Sequence, residues 1–125
     1  MEINTTTFGK FLQGKREENR ITLRKMAEML SFSAPFLSDV EKGRRNPPDL
    51  LKLEQIAEIL KLTNEEKQTM FDLAGKQRDA VAPDLPDYIK SRGYVATALR
   101  TARDLDAGEE EWQWFIKELQ ERKGP

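Results

Sequence analysis

The sequence has no cysteine and no histidine. Without cysteine the chain can form no disulfide and has no thiolate nucleophile, and without either residue it lacks the usual zinc ligands. The missing histidine also removes the commonest acid–base catalyst and the usual activator of a serine nucleophile. Carboxylates remain, but the three consecutive acids at 109–111 are better explained by the dipole of a helix that starts there. We expect no enzymatic activity, no cofactor and no metal.

The sequence also lacks long apolar runs. The N-terminus has neither the basic start nor the apolar stretch of a signal peptide, and no segment approaches the ~20 apolar residues that span a bilayer. Of 125 residues, 38% are hydrophobic and 34% are charged, a balance typical of a small helical protein with much surface. We therefore expect a soluble, cytoplasmic protein without membrane contact.

The nearly neutral net charge of −1 is unevenly distributed along the chain. Residues 1–48 contain nine Lys and Arg against six Asp and Glu, whereas residues 49–125 contain twelve against sixteen. A nucleic-acid-binding protein needs a locally basic face, because neutralising phosphates drives its affinity. The N-terminal part can provide such a face, and the acidic remainder is expected to face solvent or another protein.

Apolar residues recur at helical spacing along most of the chain, and glycine and proline fall between the periodic segments. Thr22 and Ser33 are suitable N-caps, Thr63 with Glu66 predicts a capping box, and Gly43 suits a left-handed helix stop. The pattern predicts an all-α fold whose first part has five helices, at residues 7–19, 23–30, 33–42, 49–60 and 63–74.

The pattern weakens after Gly75, which divides the chain into three predicted parts. Residues 1–75 form the first domain. Residues 76–86 are polar and contain Pro83 and Pro86, which predicts a linker. Residues 87–125 are expected to form a helical C-terminal extension, with a short helix near Tyr88 and a second one through Leu99.

The last helix of the extension has the clearest pattern. Asp106 and Glu109 predict its capping box, and four apolar residues follow at positions i, i+3, i+4 and i+7: Trp112, Phe115, Ile116 and Leu119. The simplest interpretation of this stripe is a core face that packs on the same protein. Trp114 lies away from the stripe, so Trp112, Trp114 and Phe115 are also candidates for an interface with a partner.

The segment from Leu23 to Gly43 has the strongest functional signal. Two short amphipathic helices separated by a three-residue break must cross at a steep angle to bury both apolar stripes. Ala27 is small enough to let the second helix approach closely. The outer face of that second helix is then free to enter a DNA major groove.

These residues resemble the Cro/lambda-repressor family of helix-turn-helix proteins, often called the Xre family. The resemblance covers about residues 8–74 and is carried by Ala27 and by the segments REENRITL (16–23) and LSDVEKGRRNPP (37–48). It implies a five-helix lambda-repressor-like domain that binds double-stranded DNA, as a transcriptional regulator and specifically a repressor. An antitoxin-like or adaptor protein, whose C-terminal helices hold a protein partner, is the alternative function.

The resemblance also assigns residues to roles. The helix at 33–42 is expected to be the recognition helix, whose base-facing residues are Ser33, Ala34, Pro35, Phe36, Ser38 and Asp39. Phosphates are expected to be bound by Lys42, Arg44, Arg45 and Asn46, and by Arg24 and Lys25 at the start of the second helix. The chain departs from the family in having Ala34 and Pro35 where Gln, Asn or Arg often read bases, so DNA shape is expected to contribute to specificity.

Several of these residues have a second interpretation. Phe36 can be a packing residue, Asp39 can pair with a neighbouring basic residue, and Arg44 with Arg45 can be part of a solvated loop. The resemblance further implies a structural ion pair between Arg16 and Glu41.

The expected assembly is a homodimer, because one such domain covers only half of a palindromic site. Its interface is expected in the fourth and fifth helices or in the C-terminal helices.

Overall fold

The computed structural model of the chain describes residues 6–124, which form eight α-helices and no strand. The predicted all-α class is therefore confirmed. The helices are α1 (Phe8–Glu18), α2 (Leu23–Leu30), α3 (Ala34–Glu41), α4 (Leu50–Ile59), α5 (Asn64–Gln77), α6 (Pro86–Lys90), α7 (Gly93–Asp104) and α8 (Glu109–Lys123). The chain divides into two compact units, the first ending at Pro86 and the second starting at Asp87.

Side-chain caps determine where the first five helices begin. Thr22 and Ser33 each accept a hydrogen bond from the backbone N–H three residues on, at 3.0 and 3.2 Å, as predicted. At α5, Thr63 and Glu66 form the predicted capping box, with reciprocal bonds of 3.1 and 2.9 Å. Each such cap satisfies backbone donors that a helix leaves unpaired, which is typically worth about 1 kcal/mol. The caps therefore make the boundaries of these helices readable in the sequence.

The first unit has one hydrophobic core, to which all five of its long helices contribute. The helix pairs α1 with α3, α1 with α5, α2 with α3, and α2 with α4 are in contact. Residues from each helix are almost completely buried, among them Leu12, Met26, Leu37, Ile56 and Met70. This core fixes α2 and α3 against a rigid support.

The end of α5 differs from the prediction. The helix continues past Gly75 to Gln77, and the chain reverses at Asp79, whose φ is +57°. Gly75 is required for close packing, since a Cβ there would lie 2.7 Å from the carbonyl oxygen of Val81. Ala82 is buried in the core. The predicted linker 76–86 thus starts inside α5 and folds back on it.

The second unit contains α7, α8 and most of α6, and none of its residues 87–124 is buried. The predicted capping box at Asp106 is wrong: Asp106 has a φ of +58°, and α8 starts after Gly108. Glu111, rather than Glu109, accepts the hydrogen bond of the N-cap backbone, at 2.7 Å from Gly108 N. The stripe expected to be a core face is exposed, by 37% at Trp112 and 47% at Phe115.

Within residues 6–124, no helix combines the length and the apolar character needed to cross a membrane.

Candidate nucleic-acid interface

The turn between α2 and α3 produces a compact helix-turn-helix. Ser31 ends α2 in the left-handed region, with φ +61° and ψ +35°. The backbone N–H of Phe32 returns to the carbonyl of Ala27 at 2.8 Å, which satisfies a terminal carbonyl of the helix. The next residue, Ser33, already caps α3, and Pro35 lies in its first turn, where a missing N–H costs nothing. Three residues, Ser31 to Ser33, therefore suffice to redirect the chain.

The outer face of α3 presents short side chains. Ser33 and Pro35 are exposed, while Ala34, Ser38 and Asp39 are half-buried. The opposite face is anchored by Leu37 and Val40, both fully buried. The predicted base-facing residues other than Phe36 thus lie on the accessible side of a well-supported helix.

Phe36 is held by its neighbours on both sides. Its ring makes an edge-to-face contact with Phe32, with centroids 4.8 Å apart, and the guanidinium of Arg45 lies 5.0 Å from its centroid. Both contacts are of the kinds that aromatic rings favour. Phe36 therefore links the turn before α3 to the loop after it.

The basic loop that follows α3 is exposed at each of its predicted phosphate-binding residues. Lys42 is the C-cap, and Gly43 takes the predicted left-handed conformation, with φ +79°. The chain then presents Arg44, Arg45 and Asn46 to solvent. This arrangement places two guanidinium groups directly beyond the end of α3.

Asp39 connects α3 to this loop electrostatically. Its carboxylate lies 3.6 Å from Arg44 NH1 and 4.0 Å from Arg45 Nε. All three side chains are at least one-third exposed, so these pairs are weak and can be exchanged for other partners. A phosphate could replace Asp39 at either guanidinium group without leaving a buried charge unpaired.

Sequence reasoning missed the residues that hold the loop in place. Gln77 Nε2 donates to the backbone carbonyl of Arg45 at 3.2 Å, and the guanidinium of Arg78 donates to the carbonyl of Pro47. Both donors come from the end of α5, more than thirty residues further along the chain. No local pattern in the sequence points to such contacts.

Lys52 on α4 contacts the turn between α2 and α3. Its ammonium group donates to the carbonyl of Leu30 at the end of α2, at 2.5 Å, and lies 5.2 Å from the ring centroid of Phe32. A cation at a helix C-terminus is favoured by the helix dipole. Lys52 therefore stabilises the turn that orients α3.

Arg16 and Glu41 form a bidentate ion pair between α1 and the last turn of α3. Arg16 Nε and NH2 donate to the two carboxylate oxygens at 2.7 and 3.0 Å, and NH1 donates to the carbonyl of Ile21 at 2.9 Å. Both residues are buried, with 8% of each exposed. The hydrogen bonds to Glu41 raise the pKa of Arg16 above its ordinary value.

The remaining predicted residues are distributed over both units. Arg24 and Lys25 are exposed in the first turn of α2, where Lys25 lies 3.7 Å from Glu28. Trp112, Trp114 and Phe115 belong to α8 in the second unit. Among residues 6–124, no cluster of acidic side chains has the arrangement of a metal site.

Comparison with known proteins supports this description. Residues 7–70, about half of the chain, match a family model described as a helix-turn-helix domain. The chain is 40% identical over 58 residues to an uncharacterized HTH-type transcriptional regulator of Mycobacterium tuberculosis, covering 46% of this chain and 40% of the relative. It is 34% identical over 59 residues to the HTH-type transcriptional repressor RghR of Bacillus subtilis, covering 47% and 44%.

The matched segment thus spans less than half the length of these curated relatives. No solved structure matches the chain.

Proposed function

We propose that this chain, which belongs to the helix-turn-helix domain family, binds double-stranded DNA as a transcriptional regulator and places α3 in the major groove. One observation carries the proposal: α3 is anchored in the core on one face and accessible to solvent on the other, and an exposed basic loop directly follows it. An α-helix fits the width of the major groove, and the loop would then reach the adjoining phosphates. The names of both relatives, a regulator and a repressor, support the same role.

In this arrangement the two sets of residues contribute differently. Lys42, Arg44 and Arg45 would bind phosphates, with Asn46 beside them, and would provide affinity without reading sequence. Ser38 can donate to or accept from a base edge, and Ala34 and Pro35 can contact a thymine methyl group. Phe36, which is packed between Phe32 and Arg45, would position the loop rather than a base.

The finer parts of the proposal concern regulation and assembly. We propose repression as the mode of regulation, by analogy with the name of the Bacillus relative. We also propose that two copies bind a palindromic operator, because a single helix-turn-helix covers one half-site and a two-fold dimer contacts two.

The decisive experiment is selection of bound fragments from a random pool of duplex DNA, followed by affinity measurements at several salt concentrations. We expect a recovered palindromic motif and a binding constant that falls steeply with salt. Arg44→Ala and Arg45→Ala should each weaken binding to all sequences and reduce the salt slope by about 1 for each phosphate that is no longer bound.

Arg100→Ala is the matched control, since it removes an exposed arginine from α7 in the second unit. It should leave both the affinity and the salt slope unchanged. Salt-insensitive binding, or failure to enrich any motif, would contradict the proposed function.

A further inference from the structure

The second unit has apolar side chains but no core. None of residues 87–124 is buried, and α8 carries four large apolar side chains on one face. Trp112, Phe115, Ile116 and Leu119 remain between 37% and 47% exposed. The rings of Trp112 and Phe115 contact each other edge to face, with centroids 6.0 Å apart, so the stripe is a continuous surface.

Acidic residues gather at the start of α8 and basic residues at its end, although Glu118 and Glu121 also lie in its second half, where Glu118 is 3.9 Å from Arg122. Glu109, Glu110 and Glu111 occupy the first turn, and Arg122 and Lys123 occupy the last. The helix has 15 residues and is therefore about 22 Å long. This polarity stabilises the helix itself through its dipole, but it also makes the two ends of α8 complementary to each other.

We propose that the α8 stripe is a homodimer interface, in which α8 pairs antiparallel with α8 of a second copy of this chain. The proposal provides the assembly that a palindromic operator requires, yet it concerns a surface other than α3 and can be tested without DNA. A second copy is favoured over an unrelated protein because the stripe, together with Glu109 and Lys123 near the two ends of α8, matches its own two-fold image.

The geometry of a helix fixes the pairing. With the two-fold axis between residues 115 and 116, Trp112 lies opposite the partner's Leu119, and Phe115 lies beside the partner's Phe115. On the flanks of the stripe, Glu109 approaches the partner's Lys123.

On the other flank Glu111 approaches the partner's Arg122, but this contact is weaker because Arg122 already lies 3.9 Å from Glu118 of its own helix. Two-fold symmetry repeats both contacts. A parallel pair would instead place acid beside acid and base beside base, which is unfavourable.

Trp114 provides a matched control. It is 64% exposed and lies about 150° around the helix from the centre of the stripe, so the proposed pairing leaves it outside the interface. Trp112→Ala and Trp114→Ala remove the same side chain from opposite faces of one helix.

The test is the oligomeric state of the full chain, measured by sedimentation equilibrium over a range of concentrations. The wild type should form a dimer. Trp112→Ala should raise the dimer dissociation constant about tenfold or more, as expected for a large aromatic side chain covered by the partner, and Trp114→Ala should change it by less than about threefold. A monomer at every concentration, or equal effects of the two substitutions, would overturn the proposal and favour a different protein as the partner of α8.

A second pair of variants tests the antiparallel orientation and retains the stripe. Glu109→Lys places a lysine opposite the partner's Lys123, and Lys123→Glu places a glutamate opposite the partner's Glu109. Glu111, which accepts from Gly108 N at the start of α8, and Arg122, which pairs with Glu118, are left unchanged. Each protein alone should dimerise more weakly than the wild type, because the contact between residues 109 and 123 becomes repulsive, and an equimolar mixture should form a heterodimer.

If the first variant dimerises as well as the wild type, the orientation is wrong. Circular dichroism verifies that α8 remains helical in each protein. DNA binding is not used as a readout. A protein that dimerises but does not bind DNA would therefore contradict the proposed function and leave the α8 interface standing.

Discussion

At the scale of single residues, the most consequential contact is the buried pair of Arg16 and Glu41. The pair satisfies three donors of the guanidinium group and both carboxylate oxygens. The net contribution of the pair to folding stability is smaller than its attraction, because burying two charges costs desolvation energy that the pairing must first offset. Its role is to fix the last turn of α3 against α1, and therefore the direction in which the basic loop leaves the helix.

Removing one partner of this pair should be much worse than removing an exposed one. Glu41→Ala leaves a buried arginine without its carboxylate and should reduce the free energy of unfolding by about 3–5 kcal/mol. Glu54→Ala removes the half-exposed pair with Lys67, which has an N–O distance of 3.0 Å, and should cost at most about 1 kcal/mol. Urea denaturation followed by circular dichroism measures both, and similar losses would show that Arg16 finds another partner.

The contact between Glu66 and Lys15 gives the first unit an acid-sensitive contribution. The ammonium group of Lys15 lies 2.7 Å from Glu66, and the backbone N–H of Thr63 also donates to this carboxylate. Both bonds hold the pKa of Glu66 below its ordinary value. A lowered pKa in the folded state adds stability above the unfolded pKa, about 4.3, and that stability is lost as the pH falls through the folded value.

Glu66→Gln should therefore flatten the dependence of unfolding free energy on pH below about pH 4.3. Near pH 7 the variant should be less stable than the wild type, and the two should converge in acid. Glu65→Gln is the control, since it changes the same charge one residue away and leaves the Lys15 contact intact. Parallel pH profiles for wild type and Glu66→Gln would refute this assignment.

At the scale of helices, two glycines in α1 have opposite surroundings. At Gly9 an added Cβ would lie 2.1 Å from the carbonyl oxygen of Glu41, so α1 and α3 approach with backbone in contact. At Gly14 no atom lies within 4 Å of the corresponding position. The first glycine is required by packing, and the second only weakens the helix.

The same substitution should therefore have opposite signs at the two positions. Gly14→Ala should stabilise the protein by up to about 1 kcal/mol through helix propensity. Gly9→Ala should destabilise it despite the same propensity gain, since overpacking typically costs about 1–3 kcal/mol. Thermal unfolding of both variants decides the question. If both substitutions stabilise, α1 can move away from α3 at little cost.

Helix boundaries were predictable where the signal is local. Thr22, Ser33 and Thr63 cap helices through bonds to residues three positions away, so the sequence pattern contains all the participants. The end of α5 was not predictable, because Gly75 serves a contact with Val81 and Ala82 rather than a helix stop. At α8, Asp106 and Glu109 fit the sequence pattern of a capping box, but Asp106 takes a left-handed conformation and the N-cap is Gly108.

The same limit applies to the candidate interface. The exposure of Arg44, Arg45 and Asn46 follows from a polar loop after a helix stop, and sequence reasoning anticipated it. The contacts that hold the loop join residues far apart in the chain, as between Gln77 and Arg45. Such contacts depend on how α5 packs against the rest of the unit, which a single sequence does not encode in any short pattern.

At the scale of the whole molecule, the basic charge available for DNA is local and limited. The first unit, up to residue 86, contains fourteen Lys and Arg and fourteen Asp and Glu, so its long-range attraction for DNA is weak. Affinity must then come from few phosphate contacts and from the use of two copies. Pairing of α8 would double the number of such contacts on one DNA molecule.

The salt dependence of binding should report this doubling. The slope of log affinity against log salt is limited by the number of phosphates that are bound. Each copy has five candidate cations for this role, which limits a monomer to a slope of about −4.5 and a dimer to about −9: Arg24, Lys25, Lys42, Arg44 and Arg45. A protein with Trp112→Ala and Phe115→Ala should show about half the wild-type slope on the same operator. Fluorescence anisotropy over 50–200 mM salt measures both slopes, and equal slopes would mean that two copies do not act together.

The fold-back after α5 has a consequence for where this protein can be divided. A fragment that stops at Gly75 would lack Ala82, which is buried in the core. It would also lack Gln77 and Arg78, whose side chains donate hydrogen bonds to the backbone carbonyls of Arg45 and Pro47. The affinity of the basic loop for phosphates would then fall, although all of its basic residues are still present. The shortest fragment that binds DNA by itself should therefore extend to Pro86. A fragment that ends at Gly75 should bind DNA as weakly as a variant that lacks basic residues of the loop.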